Sequence, residues 1–164
     1  MKWIARTNEA NYVAITGEQT GCWSWVGTLN NGRQELNLQP GNPGCVNISP
    51  GTAEHEMLHA LGTFHEQSRP DRFENNSLLS LTVRIELNSF IRDQYVKIHS
   101  ANIQSGAEGN FEKKTSSQVL IHGAYDYGSV MHYGRCAFTS NNMETITLVV
   151  CKTILSNNLV YNPL

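Results

Sequence analysis

Up to Leu38 the chain alternates short β-branched and aromatic runs with polar turns, the pattern of strands joined by tight connections. Lys2–Arg6 (KWIAR) and Tyr12–Thr16 (YVAIT), separated by the polar TNEAN, predict a strand pair. Gly21 and Gly27 punctuate a third candidate strand, GCWSWVG. Arg33–Gln39 (RQELNLQ) puts Leu36 and Leu38 on one side, and the NNGR before Gln34 is turn chemistry. PGNPG (Pro40–Gly44) reads as a loop. Good helix formers then take over: Ser49 is suited to cap, Pro50 to the first helical position, and Gly62 to a left-handed stop. After Arg72 the pattern is irregular, with a possible strand at Leu81–Leu87 and mixed polar segments to Ile121. Strands first and a helix after them predict an α+β fold rather than a repeating βαβ sheet.

Composition narrows the function classes. At 164 residues the chain fits one domain. A net charge of −2 gives no basic groove for nucleic acid, and 16 % charged residues suit a loop-rich extracellular domain. The longest apolar stretch, Ile146 to Leu155, is interrupted by Lys152 and too short to span a bilayer. No signal-peptide core is visible in MKWIARTNEA. Cys22, Cys45, Cys136 and Cys151 permit three full pairings, and none has the CxxC spacing of a zinc ribbon or a thioredoxin-like site. Sequons stand at Asn47 and Asn75.

The chemistry is concentrated in HEMLHALGTFHE (His55–Glu66). Residues four apart on a helix share a face, so His55 and His59 can reach one metal ion. Glu56 lies beside them, able to hold a water without being a ligand. Gly62 ends the helix and lets the chain bring His65 round as a third ligand, leaving a position open as catalytic zinc requires. Average residue usage puts the chance of HExxHxxGxxH in such a chain on the order of one in 10^5. The bland alternative, a helix with surface histidines, is therefore disfavoured.

The extended motif followed by a Met-turn, here SVMHY (Ser129–Tyr133), marks the metzincin peptidases. HEMLHALGTFHEQSRPDR resembles the astacin family's HExxHxxGxxHExxRxDR at every fixed position, with Glu66 and Tyr133 as the distinguishing residues. The resemblance implies a metzincin-like α+β fold: a twisted, mostly β N-terminal part packed on the active-site helix, and an irregular C-terminal part with the Met-turn. It implies a secreted zinc-dependent metalloendopeptidase that hydrolyses internal peptide bonds through a metal-activated water. His55, His59, His65 and Tyr133 would be ligands of one zinc ion, with imidazole distances of about 2.0–2.1 Å. Glu56 would be general base and then acid, Tyr133 a donor to the oxyanion, and Met131 an apolar floor. The polypeptide substrate would lie extended against an edge strand, taken to be RQELNLQ. Cys22 and Cys45 match a family disulfide, whose loop contributes roughly 3 kcal/mol by the chain-entropy argument. Cys136 and Cys151 match no family pair.

The pattern departs from the family in three places. Family members carry a strand and a long helix before the segment that KWIAR matches, and a mature N-terminus buried against the glutamate matching Glu66. The tail after Ile146 does not resemble the usual closing helix and cysteine, so the single domain, 1–164, reads as incomplete at both ends. Family members also run from RxDR straight into a segment like DQYVKI, whereas here 73–92 intervenes and reads as an insertion. The Cα atoms of Arg72 and Asp93 are then expected within roughly 10 Å. His99, His122 and His132 read as structural, and Asp126 as a ligand-orienting or turn-capping residue. The rival reading is a zinc-binding but catalytically weak or inactive fragment of such a peptidase; a purely structural zinc module would make Glu56 superfluous.

Overall fold

The computed structural model describes residues 2–41, 44–45, 51–72 and 95–149. Strands β1 (Tyr12–Thr16), β2 (Cys22–Ser24) and β3 (Arg33–Leu38) form one sheet in the order β1-β3-β2. β3 runs parallel to β1, with Tyr12 opposite Arg33, and antiparallel to β2, with Cys22 opposite Leu38. RQELNLQ is therefore the centre of the sheet and not an edge, which overturns the expected substrate strand. Both hydrogen-bonding edges of β3 are taken, by β1 on one side and β2 on the other. Gln34 and Asn37 are buried along with Leu36, so both faces of β3 are covered.

Those two buried amides fasten the connections. Asn37 Nδ2 donates to the carbonyls of Gln19 and Gly21 at 2.8 and 2.6 Å, and its Oδ1 accepts from the Thr16 hydroxyl and the Gln19 N–H. Gln34 donates to the Gly27 carbonyl at 2.9 Å and accepts from the Leu29 N–H at 3.0 Å. Satisfied in this way, a buried amide costs little and specifies one loop conformation.

Lys2–Arg6 forms no strand, so the expected pairing of KWIAR with YVAIT is also corrected. β1 takes its ladder from β3, and residues 2–10 lie exposed, with the Arg6 guanidinium 4.1 Å from the Tyr12 ring centre. β propensity describes the fit of a side chain to a paired, half-buried surface; without a partner it produces no strand.

Helix α1 (Gly51–Ala60) packs on β2 and β3. A Cys22–Cys45 disulfide, with Cα atoms 5.8 Å apart, ties β2 to the loop leading towards α1. The cap residues Ser49 and Pro50 lie outside the described residues. So do the Leu81–Leu87 strand, the 73–92 insertion with Asp93, both sequons and Cys151.

The C-terminal part is mostly turns, as expected, but carries a small antiparallel sheet of β4 (Val96–Ile98) and β5 (Ile146–Leu148). Its core gathers Val96, Ile103, Ala107, Phe111, Tyr125 and Ile146, with Tyr133 packed against it. Short 3-10 turns at Ser100–Asn102 and Glu108–Phe111 carry the chain around this core. Among the described residues no helix is long and apolar enough to cross a membrane.

Candidate active site

The site begins with the way α1 stops. Gly62 adopts φ +99°, a region that costs a residue with Cβ roughly 1–2 kcal/mol. The Gly62 N–H donates to the His59 carbonyl at 2.8 Å, and the Thr63 N–H to the Leu58 carbonyl at 3.0 Å. This is the double closure of a Schellman turn. Gly27 adds a third contact, its N–H donating to the same His59 carbonyl at 2.8 Å. A Cβ on Gly27 would come within 3.7 Å of the Gly62 Cα, so the two backbones approach closely. The turn then reverses the chain towards His65, as the sequence predicts.

The three histidines converge. His65 Nε2 lies 3.2 Å from His55 Nε2 and 3.1 Å from His59 Nε2. Three nitrogens each about 2.0–2.1 Å from one ion in tetrahedral directions would stand about 3.3 Å apart. The opposite ring atoms explain why the Nε2 atoms are available. His55 Nδ1 donates to the Val130 carbonyl at 2.8 Å, and His59 Nδ1 to the Thr63 carbonyl at 2.7 Å. Each bond places the proton on Nδ1 and leaves a lone pair on Nε2. Burial lowers the His59 pKa, and burial with the neighbouring imidazoles lowers that of His65 to about 3. Neutral imidazoles are what a metal requires, so these residues fit a zinc ion.

Glu56 is buried beside them, and burial raises its pKa against an opposing pull from His55. Tyr133 comes from the far side of the chain, its ring 4.3 Å from that of His65 and backed by Phe111 and Phe138. Its hydroxyl is pushed up to about 12 by burial and then by the charge of Glu56. Met131 is buried, and its carbonyl accepts the Glu66 N–H at 3.0 Å.

Behind His65, the 3-10 turn Glu66–Ser68 is clamped by Arg69. The guanidinium pairs with Glu66 at 2.9 Å and Asp71 at 2.8 Å and donates to the Ala124 carbonyl at 3.1 Å. Glu66 also accepts the Asp126 N–H at 2.9 Å. The Asp126 side chain accepts from the Gly128 N–H at 2.9 Å, which is the turn-capping role rather than the ligand-orienting one. His132 bonds the Tyr125 hydroxyl and His99 the Thr147 hydroxyl, each at 2.8 Å. Among the described residues Cys136 is exposed and has no disulfide partner. Sequence reasoning missed Gln67, which is fully buried and joins the zinc motif to Tyr133; no periodicity or motif position marks it.

Comparison with known proteins agrees with this geometry. The family model of the astacin peptidases matches residues 1–89 and 81–158. Blastula protease 10 of Paracentrotus lividus is 42% identical over 129 residues, covering 78% of this chain and 17% of that protein. Meprin A subunit beta of Mus musculus is 38% identical over 141 residues, 85% of this chain and 16% of the relative. The chain thus spans a small part of these curated relatives. Among solved structures, high choriolytic enzyme 1, a hatching enzyme zinc-protease from Oryzias latipes, superposes with TM-score 0.63 at 33% identity, covering 92% of this chain and 62% of that one. With the three-histidine centre in place and most of the chain matched by the family model, this chain belongs to the astacin family of zinc peptidases.

Proposed function

We propose that the chain is the catalytic part of a secreted zinc metalloendopeptidase, with His55, His59 and His65 as ligands and Tyr133 as a further one. The convergence of three imidazole Nε2 atoms beside the buried Glu56 carries this reading. Bound zinc supplies Lewis acidity, polarising the scissile carbonyl and lowering the pKa of water from 15.7 towards about 7. Glu56 takes the proton of the attacking water at its carboxylate and returns it to the leaving amine, worth about 10²–10⁴-fold. Tyr133 would leave the ligand set when substrate binds and, as a neutral phenol, donate a hydrogen bond to the developing oxyanion. Met131 closes the floor of the site as an apolar residue. The substrate lies extended along β2, an edge strand of the sheet and the one against α1, and backbone pairing there admits many sequences. The Cys22–Cys45 disulfide supports an extracellular setting. The segment 73–92 reads as an insertion in the sequence, supported by the family model matching in two stretches that overlap at 81–89. The described residues on either side of it support the same reading, the Arg69 guanidinium lying 5.8 Å from the Tyr95 ring centre.

The test is to purify the chain, measure bound zinc and assay casein cleavage with and without a chelator. One zinc per chain, and cleavage that is lost on chelation and restored by zinc, supports the reading. Zinc bound without any cleavage supports the rival, a catalytically weak piece.

A further inference from the structure

Gln67 has no part in the mechanism above, yet it is fully buried beside it. Its Oε1 accepts the Tyr133 N–H at 3.1 Å. A backbone N–H only donates, so the oxygen end of the amide must face the tyrosine. One residue earlier, the Glu66 N–H donates to the Met131 carbonyl at 3.0 Å. Residues 131–133 are therefore gripped at two points, Met131 O and Tyr133 N. One grip is a backbone group and the other a side chain standing in for one. The Gln67 carbonyl is itself fastened by Arg72 Nη1 at 2.7 Å. Among the described residues Gln67 Nε2 has no hydrogen-bond partner, so the buried amide spends its side chain on Tyr133 alone. Buried polar atoms are nearly always satisfied, and the exceptions call for a reason.

We propose that Gln67 is a positioning residue that sets where Tyr133 stands over the three-histidine centre; this rests on the reading of Tyr133 as a ligand and oxyanion donor. The phenol of Tyr133 is a lever whose fulcrum is its own backbone. Its ring is packed by His65, Phe111 and Phe138, with ring centres at 4.3, 5.7 and 5.5 Å, so a shift of the N–H moves the hydroxyl directly. Gln67 makes that fulcrum part of the same turn that delivers His65.

The experiment compares Gln67→Met, which keeps the shape and removes the acceptor, with Gln67→Glu, which keeps an acceptor oxygen, and with Tyr133→Phe. The chain is loaded with copper(II), in which a ligating phenolate gives a charge-transfer absorption that imidazoles do not. Kinetics are read on one internally quenched peptide cleaved by the zinc form. Expected are a weakened charge-transfer band in Gln67→Met, kcat lowered about 10–100-fold with KM unchanged, and recovery of both in Gln67→Glu. The Gln67→Met loss should vanish when made on top of Tyr133→Phe. An intact band in Gln67→Met, or a loss that adds fully to that of Tyr133→Phe, overturns the inference. Should Gln67→Met not fold, Gln67→Asn withdraws the acceptor by one methylene and carries the same test. A Tyr133→Phe variant with the wild-type band and kcat instead removes the reading on which the inference rests.

Discussion

From Tyr12 to Leu38, strand pairs with strand, and buried amides on β3 lock the two connections. From Tyr95 to Val149 there is little ladder; the segment is held by a small aromatic core and by bonds from the zinc motif itself. His55 grips the Val130 carbonyl, Glu66 the Met131 carbonyl, Gln67 the Tyr133 N–H and Arg69 the Ala124 carbonyl. The first region is a shelf that would stand without a metal. The second is positioned by the zinc motif, directly through the ligand His55 and through the turn that follows the ligand His65, so its order should depend on whether the ion is bound.

Removing zinc is the strongest way to break this contrast. Chelation should abolish cleavage and, by hydrogen exchange, deprotect the amides of Glu66 and Tyr133 while leaving β1 and β3 protected. Equal loss of protection in both regions would show that the sheet is no independent shelf. Next, Tyr133→Phe should lower kcat about 10²–10³-fold, the cost of one oxyanion donor, with unfolding by denaturant little changed. Gly62→Ala should come third. It strains a positive φ and disturbs the turn whose Thr63 carbonyl orients His59, so zinc affinity should fall about 10–100-fold. The smallest effect on activity should come from the shelf. Asn37→Ala leaves buried groups unpaired and should cost about 1–3 kcal/mol in denaturant titration, with kcat nearly unchanged in the folded protein.

The same contrast explains what could be read from the sequence. The zinc motif is local: helix periodicity places His55 and His59, and one glycine turns the chain to His65, so spacing alone is informative. Sheet order is not local. On β3 the pair Leu36 and Leu38 looks like one covered face, and nothing in the alternation says that Gln34 and Asn37 are buried too. KWIAR has the composition of a strand, and among the described residues it has no strand partner; pairing of that kind is decided by the rest of the chain. β4 and β5 are three residues each and far apart in sequence, too short for periodicity to register. Gln67 escaped because a single side chain bonding a backbone group across the fold leaves no pattern.

The account stands on Glu56 acting on the water as a base and not on the metal as a ligand. The most direct measurement is Glu56→Ala, with zinc content by atomic absorption and casein cleavage determined on the same preparation. One zinc per chain with cleavage abolished is the predicted result. Cleavage that survives would require another base, and zinc lost along with activity would make Glu56 part of the metal site itself.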